Sequence, residues 1–472
     1  MVCEHDRKIV FASDRGPAVG NRILVQFPGL GSYVPGVLAD VVANAPQLGS
    51  ILADVDRVAG QYGLGPVSVP LTDPSGPLLE DLADTPTLLH LASFTSAYVL
   101  YQALRAKGFE EDMLLGHSTG EITALVAGGA LSVADGARVL CEREVALSDV
   151  GPRGGLVALQ TGARHAEHLC AAAGGWSVQV SLRNSPVQTV VSGIDEDLAR
   201  LEAVARGAGV SATRLLVRYP HHNTALRLAG RRLAEAVASV PITDPAARIF
   251  SPILDHTVSC AVHARQIVER HLTDPVGYVC AIRSLYDDFG VREFLEVGVR
   301  PVLTDLAREI LPATAAVLGP PPLTHSAAQI LAVLAGSPTI SPAAHRFGGS
   351  VSEADEVATS TIVQEAPVAA APEDVAVNSG ERPVLPGRDV LEARIRSVFA
   401  QALGYPEDVF TDDAHLEADL GITSVRKIDL LVRLLDEYQL PTPPARLRMR
   451  DYSTVPKLAE LMQSLPFGEV AV

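Results

Sequence analysis

The sequence Met113-Leu114-Leu115-Gly116-His117-Ser118-Thr119-Gly120 lies within this 472-residue chain and indicates its fold. A short apolar run predicts a buried strand, and it leads directly into the pattern G-x-S-x-G. Apolar residues at 122, 125 and 126 then follow with helical spacing. Strand, serine turn and helix together predict a sharp bend that exposes the Ser118 hydroxyl beside free N–H groups of the helix N-terminus. An ordinary tight turn is the alternative interpretation.

The segments on either side alternate between strand-like and helix-like patterns. Residues 23–27 (ILVQF) resemble a strand that ends at Pro28-Gly29, residues 87–107 have helical periodicity, and residues 294–297 resemble another strand. Strands that alternate with helices are typical of an α/β domain with a mainly parallel sheet. We therefore predict one large α/β domain over residues 23–336, preceded by an N-terminal extension at 1–22.

A different pattern interrupts this domain at about residues 154–219. Residues 156–159, 178–181, 189–192 and 212–218 resemble strands, and residues 195–208 resemble a helix. Short strands with intervening helices favour a small α+β insert of the split βαβ type, which is a ferredoxin-like arrangement.

The C-terminal part of the chain has a different composition. Residues 337–387 are rich in Pro, Ala, Ser, Val and Glu, which predicts a linker without a packed core. Residues 388–466 contain helical patterns at 390–403, 424–438 and 455–462, and we predict a small helical bundle there.

The bulk properties exclude several classes of function. The net charge of −17 argues against nucleic acid as the main partner, because phosphate binding needs clustered Lys and Arg. The five cysteines form no CxxC pair, which argues against a zinc site and is typical of the reducing cytoplasm. The sequence contains no run of apolar residues long enough for a membrane span and no secretory pattern at residues 1–22. We therefore expect a cytoplasmic protein with no metal.

A nucleophilic serine needs a base, and the chain contains thirteen histidines. The pair His221-His222 is attractive because it follows a predicted strand end. Local chemistry alone leaves the choice of histidine open.

Several motifs resemble a known family in order and spacing. Residues 27–32 (FPGLGS) resemble the motif FPGQGSQ, and residues 116–121 (GHSTGE) resemble GHSLGE. Arg143 falls where the family has a helix arginine, Asn184-Ser185-Pro186 resembles a further motif, and residues 296–303 resemble EVGPGxVL. The chain thus resembles malonyl-CoA:acyl carrier protein transacylases and the acyltransferase domains of polyketide synthases, which implies an α/β-hydrolase-like fold with a ferredoxin-like small subdomain.

The resemblance implies a ping-pong transfer from an acyl-CoA thioester to an acyl carrier protein. Ser118 would be the nucleophile and His222, rather than His221, the base. The backbone N–H groups of Leu30 and Thr119 would form the oxyanion hole. The remaining implied contacts to the acyl group come from Arg143, which would bind a free carboxylate, and from His117, Asn184, Tyr219 and His221.

Two departures from the family pattern concern the oxyanion-hole loop and the choice of substrate. Leu30 and Tyr33 replace the two glutamines of the first motif. Residues 219–222 (YPHH) stand where malonyl-selective domains have HAFH and methylmalonyl-selective domains have YASH. Tyr219 indicates methylmalonyl, whereas the bulky His221 indicates malonyl, and we favour malonyl.

Residues 417–425 (EADLGITSV) resemble the acyl carrier motif DLGxDSL, most closely its ADLGIDSI form. The resemblance implies a four-helix carrier domain at residues 388–466, with 4′-phosphopantetheine attached to Ser424. Because Ser424 begins a predicted helix, backbone N–H groups can face a phosphate there. A plain N-cap serine is the alternative interpretation.

The implied partners are acyl-CoA, a carrier in cis or in trans, a polyketide ketosynthase and a phosphopantetheinyl transferase. A linker of roughly fifty residues has an end-to-end distance of about 40 Å, which permits loading in cis. Two rival hypotheses remain. The chain could be an acyl hydrolase that clears stalled carriers with the Ser118–His222 pair. Alternatively, it could be a non-catalytic scaffold, for which Leu30 and Tyr33 are the best support.

Overall fold

The computed structural model describes residues 22–335 and 385–465, except for positions 31, 83–84, 216, 322–323, 325, 404, 417–419, 421, 423, 439 and 441–451. Most of the predicted linker therefore lies outside the described residues. The predicted extension 1–22 also lies outside them, apart from Arg22. That residue begins the first strand.

The strands of the described residues are β1 (Arg22–Phe27), β2 (Met113–Gly116), β3 (Gly154–Leu159), β4 (Gln179–Arg183), β5 (Thr189–Ile194), β6 (Ala212–Arg214), β7 (Ile249–Ser251), β8 (His256–Val258), β9 (Val291–Glu296) and β10 (Ala316–Leu318). The helices up to the small subdomain are α1 (Ala39–Asn44), α2 (Gly49–Gln61), α3 (Ser68–Thr72), α4 (Leu79–Leu82), α5 (Pro86–Ala106), α6 (Gly120–Ala127), α7 (Val133–Val150), α8 (Ala163–Ala173) and α9 (Asp195–Gly207). The later ones are α10 (Arg227–Ala236), α11 (Ala261–Arg270), α12 (Tyr278–Asp287), α13 (Val302–Ile310), α14 (Ala327–Ala335), α15 (Arg388–Leu403), α16 (Ser424–Glu437) and α17 (Val455–Ser464).

Six strands form the large sheet, in the order β10-β9-β1-β2-β7-β8. All neighbours are parallel except β7 and β8, which pair antiparallel at one edge. The sheet is buried on both faces. Val25 of β1 packs with α2, α5 and α7, whereas the adjacent Leu24 packs with α12 and α13 on the other face. Burial on both faces explains why β1 and β2 are rich in apolar residues.

The small subdomain follows α7 and is built from β3, α8, β4, β5, α9 and β6. Its four strands form an antiparallel sheet in the order β4-β5-β3-β6. Val157 faces α8 and α9, and the adjacent Leu156 faces the core beneath the large sheet. The subdomain therefore packs firmly against the large sheet through one face of its own.

Strand β6 ends at Arg214, so the prediction of a strand over residues 212–218 was too long. Leu215 and Val217 still pack against the core below the large sheet. The N–H of Leu215 still donates to the Leu156 carbonyl of β3 at 2.9 Å, and the segment then leads into the loop at Tyr219.

At the C-terminal end of the chain, α15, α16 and α17 enclose a separate apolar core. Leu391, Phe399, Leu431 and Leu458 are among its buried members. The described residues of this region contain three α-helices and a short 3₁₀ turn at Glu407–Val409. Within the described part of the chain, no helix has both the length and the hydropathy that a membrane span requires.

Candidate active site

The chain bends sharply between β2 and α6. Strand β2 ends at Gly116, α6 begins at Gly120, and Ser118 between them has a φ of 53°. A Cβ at Gly120 would lie 2.1 Å from the Phe27 carbonyl oxygen, and one at Gly116 would lie 2.2 Å from Gly120. Only glycine fits at these two positions. A left-handed serine is strained and is held by the surrounding structure, as is common at functional sites.

Ser118 and His222 are in direct contact. The Oγ atom of Ser118 lies 2.8 Å from Nε2 of His222, and Nδ1 of His222 lies 2.9 Å from the carbonyl oxygen of Asp274. Because a carbonyl oxygen only accepts, Nδ1 carries the imidazole proton and Nε2 accepts from the serine hydroxyl. Burial, followed by His271 and Arg143, holds the pKa of His222 well below its usual value. The imidazole is therefore neutral and able to accept a proton.

The backbone around His222 is fixed by the small subdomain. His222 itself has a φ of 57°, so its loop needs external support. The side-chain amide of Gln179 donates to the His222 carbonyl at 3.0 Å. The amide of Asn223 donates to the Ser177 carbonyl at 2.7 Å and to the Ser192 hydroxyl at 2.9 Å. Thus the insert between β3 and β6 orients the histidine that contacts Ser118.

A second histidine contacts the backbone of the bend. His271 Nε2 lies 3.0 Å from the carbonyl oxygen of Ser118 and is buried. Burial and the nearby Arg143 lower the pKa of His271 to about 3, so it donates as a neutral imidazole. Its ring centroid is 5.7 Å from that of His222. The pattern of the sequence did not single out His271 or Asp274.

His117 and Asn184 meet on the other side of Ser118. His117 Nε2 lies 2.9 Å from Oδ1 of Asn184, whose Nδ2 donates to Gln188 Oε1 at 2.8 Å. The His117 ring also packs edge-on against Tyr278 at 5.3 Å. The structure therefore brings together two residues that are 67 positions apart in the chain and that the sequence assigned to one site.

The loop that contains Leu30 passes close to the bend. A Cβ at Gly29 would lie 2.9 Å from the His117 carbonyl oxygen and 3.6 Å from the Thr119 nitrogen. The preceding Pro28 lies against Gly298, where a Cβ would be 2.6 Å from the proline ring. This close approach brings the backbone at Gly29, next to Leu30, beside the backbone of Thr119.

Arg143 lies on α7 and is buried, with 1% of its surface exposed. Its Nη1 donates to His90 Nε2 at 3.0 Å and to Glu144 Oε1 at 2.6 Å, and its Nη2 donates to His221 Nδ1 at 3.0 Å. His90 in turn contacts Thr119, with 3.2 Å between Nδ1 and Oγ1. A chain of hydrogen bonds therefore connects the serine bend to the arginine. His90 and Glu144 are members that sequence reasoning missed.

Tyr219 lies at the margin of this network. Its ring is buried and its centroid is 6.4 Å from that of His221. The guanidinium of Arg153 lies over the other side of the ring, 5.3 Å from its centroid. Of the four residues at 219–222, His221 and His222 thus contact Arg143 and Ser118, while Tyr219 packs beside them.

The carrier motif is described in part. Ser424 is the first residue of α16, and Leu420 and Ile422 before it are buried in the core of the C-terminal helices. Residues 417–419, 421 and 423 of the motif lie outside the described residues. In the described ranges, no group of three or more His, Cys, Asp or Glu side chains is arranged to hold a metal ion.

Residues 37–321 match the protein family described as the acyl transferase domain. The chain belongs to the acyl transferase family. Residues 393–462 match a second family, described as the phosphopantetheine attachment site. This acyl transferase chain therefore carries a carrier domain at its C-terminal end.

This acyl transferase is similar to two kinds of protein. It is 29% identical over 314 residues to the malonyl CoA-acyl carrier protein transacylase of Escherichia coli K12, with 64% of this chain and 98% of that protein covered. It is 27% identical over 285 residues to the pikromycin polyketide synthase component PikAIII of Streptomyces venezuelae, with 60% of this chain covered. The chain spans only 18% of that synthase.

Solved structures support the same fold. The acyltransferase domain from module 8 of the salinomycin polyketide synthase matches with a TM-score of 0.61 and 26% identity, over 68% of this chain and 75% of that chain. The malonyl-CoA:acyl carrier protein transacylase of Xanthomonas oryzae matches with a TM-score of 0.60 and 26% identity, over 67% and 99%. The large domain therefore has the mixed α/β acyltransferase fold.

Proposed function

We propose that this chain transfers a malonyl-type acyl group from coenzyme A, through an ester on Ser118, to a carrier thiol. The observation that carries the proposal is the 2.8 Å hydrogen bond between Ser118 Oγ and His222 Nε2. The strained backbone of both residues adds support, because such strain is typical of sites where geometry serves chemistry. The relatives in both groups agree with this reaction class.

In the first half-reaction, Ser118 Oγ attacks the thioester carbon while its proton passes to His222 Nε2. The carbon–sulfur bond then breaks, and His222 gives the proton to the departing coenzyme A thiolate. The carbonyl of Asp274 stabilises the doubly protonated imidazole through Nδ1. A positioned base of this kind contributes about 10²- to 10⁴-fold in rate.

We further propose that the backbone N–H groups of Leu30 and Thr119 stabilise the oxyanion. The close packing of the Gly29 loop against Thr119 supports this assignment. Because the donors are backbone groups, replacement of the family glutamine by Leu30 leaves the hole intact. Loss of one such donor generally costs about 10²- to 10³-fold in rate.

His117, Asn184, His221 and Tyr219 are proposed to border the acyl group, and Arg143 to bind its carboxylate. The His117–Asn184 hydrogen bond and the contact of His221 with Arg143 support these roles. His221 stands where the methylmalonyl pattern has a serine, and its side chain is bulkier than serine. We therefore favour malonyl as the acyl group.

In the second half-reaction, His222 takes the proton of the incoming carrier thiol, and the thiolate sulfur attacks the acyl carbon to form the new thioester. His222 then returns the proton to Ser118 Oγ as the carbon–oxygen bond of the ester breaks. We propose Ser424 as the attachment point of the 4′-phosphopantetheine whose thiol accepts the acyl group. The start of a helix is suited to this group, because the backbone N–H groups there face a phosphate. Buried Leu420 and Ile422 anchor the loop that leads to it.

The proposed organisation is an acyltransferase domain at 23–336, a linker at 337–387 and a carrier at 388–466. We propose that the carrier is a four-helix bundle and that the βαββαβ order of the insert is ferredoxin-like. Loading is proposed in cis or in trans, with a ketosynthase and a phosphopantetheinyl transferase as partners.

Intact-mass spectrometry of the full chain tests the proposal. After modification by a phosphopantetheinyl transferase and incubation with malonyl-CoA, we expect one malonyl group on Ser118 and one on the carrier. Ser118→Ala should abolish both additions, while Ser424→Ala should abolish only the second. Malonyl on the carrier of the Ser118→Ala chain, in the absence of any other transferase, would contradict the proposal.

A further inference from the structure

A carboxylate of the chain itself contacts Arg143. Glu144 Oε1 accepts from Arg143 Nη1 at 2.6 Å and lies 3.4 Å from His90 Nε2. Both side chains are buried, with 1% of Arg143 and 7% of Glu144 exposed. Adjacent residues on a helix do not face each other, so helix geometry alone does not produce this ion pair. Glu144 therefore belongs to the surroundings of the proposed carboxylate-binding arginine.

The hydrogen bonds of Arg143 leave few donors for a substrate. A guanidinium has five N–H donors. Two of them bind His90 and Glu144 through Nη1, and a third binds His221 through Nη2. The Nε atom is buried and has no acceptor among the described residues. A substrate carboxylate can therefore use Nε and the second hydrogen of Nη2, or it must displace Glu144 or a histidine.

The ion pair also changes the charge of the pocket. Burial lowers the pKa of Arg143 and raises that of Glu144, while each charge opposes this effect on the other. Burial, with Arg143 next, holds the pKa values of His90 and His221 well below their usual range, so both rings are neutral. The 2.6 Å contact pairs the guanidinium with the carboxylate, so that their charges sum to zero, and a malonyl carboxylate would add an uncompensated negative charge.

We propose that Glu144 is a specificity-determining residue, which offsets the charge of Arg143 and so lets this site accept short neutral acyl groups beside malonyl-type groups. The inference rests on the proposed acyl transfer through Ser118. With Glu144 in place, the preference for an acyl group that carries a carboxylate is small. When the charge of Glu144 is removed, Arg143 should strongly favour an acyl group that carries a carboxylate.

The test compares formation of the acyl-enzyme from malonyl-CoA and from acetyl-CoA, as kcat/KM on the full chain. Glu144→Gln keeps the size and an acceptor oxygen but removes the charge. We expect it to raise the malonyl-to-acetyl ratio by about tenfold or more, since a charge-assisted hydrogen bond supplies that much discrimination. Glu144→Asp keeps the charge and should leave the ratio within about threefold of the wild type.

A matched control lies two residues away on α7. Glu142 accepts from the Tyr62 hydroxyl at 2.5 Å and makes no contact with Arg143 in the described residues. Glu142→Gln should leave the ratio unchanged. When Arg143 is also replaced by Ala, Glu144→Gln should not raise the malonyl-to-acetyl ratio, because the guanidinium charge that Glu144 offsets is absent. If Glu144→Gln has a reduced melting temperature, Glu144→Ala serves as a second variant that removes the charge.

Other results would overturn the inference. A malonyl rate that falls in Glu144→Gln would mean that Glu144 only holds Arg143 in place, and an unchanged ratio would mean that its charge has no effect on selection. A folded wild-type chain that forms no acyl-enzyme from either substrate would refute the proposed function and this inference with it. Acyl-enzyme formation with an unaltered ratio would refute the inference alone.

Discussion

Glu121 makes the stability of the large domain depend on pH. It lies in the first turn of α6, directly after the serine bend, and only 1% of it is exposed. Its Oε1 accepts from the Ser251 hydroxyl and the Ile253 N–H, each at 3.0 Å, and its Oε2 has no partner in the described residues. Burial raises the pKa of Glu121 from 4.5 to about 8, although the two hydrogen bonds oppose the change.

The sign of the effect follows from this raised pKa. Because the folded state holds the proton more tightly than the unfolded state, the contribution is fully present below pH 4.5 and is lost as the pH rises to about 8. Between pH 5.5 and pH 8, the loss amounts to about 3 kcal/mol, at 1.36 kcal/mol for each pH unit. Glu121→Gln keeps the shape of the protonated acid and cannot ionise.

Urea unfolding of both chains at pH 5.5 and pH 8, followed by circular dichroism, measures this difference. The quantity compared is the free energy of unfolding of Glu121→Gln minus that of the wild type. We expect this difference to be about 3 kcal/mol more positive at pH 8 than at pH 5.5. Glu110→Gln, at an exposed position, is the control and should show no such gain. If the two chains instead differ in free energy of unfolding by the same amount at both pH values, Glu121 is already ionised in the folded state at pH 5.5. That result would contradict a raised pKa for Glu121.

Three further predictions concern the bend, the pocket and the carrier. Gly120→Ala should lower the free energy of unfolding by at least about 3 kcal/mol in urea titrations, because its Cβ would lie 2.1 Å from the Phe27 carbonyl oxygen. A Cβ at Gly60 would have no neighbour within 4 Å, so Gly60→Ala should not lower the free energy of unfolding in this way. Equal effects of the two substitutions would contradict the steric argument. Asn184→Ala should lower the kcat/KM of acyl-enzyme formation by about tenfold, because His117 loses its partner; an unchanged kcat/KM would exclude that role. In a dilution series, the loading rate per molecule should stay constant if the carrier is loaded in cis, and a rate that falls in proportion to concentration would exclude that route.

The sequence predicts the serine bend well, because the features that make it are local. Strand β2 is an apolar run, and Gly116 and Gly120 are required where backbone atoms approach within about 2 Å of a virtual Cβ. The same is true of the β1 strand and of the long helix α5. Apolar patterns are less informative after β6, where Leu215 and Val217 are packed and half-buried but lie beyond the end of the strand.

The network around Arg143 could not be predicted from local patterns. His90 lies within an apolar helix, 53 positions before the arginine that it contacts, and His271 lies 153 positions after Ser118. Only the fold brings these side chains together. Asp274 acts through its backbone carbonyl, which every residue type possesses, so its identity carries no signal.

Glu144 is an instructive case, because it is adjacent in sequence to a residue that was singled out. A Glu beside an Arg on a helix is typical of a solvated surface, where such charges have little effect on stability. Burial of both side chains changes the meaning of the pair. The sequence gives the two charges, and the fold determines that they share one pocket.

If His222 activates Ser118, its removal must slow the formation of the acyl-enzyme. In rapid-quench experiments with malonyl-CoA at pH 7, we expect His222→Ala to slow formation of the Ser118 ester by about 10²- to 10⁴-fold. His168→Ala, which removes an exposed histidine, should react at the wild-type rate. A wild-type rate in the His222→Ala chain would contradict the account.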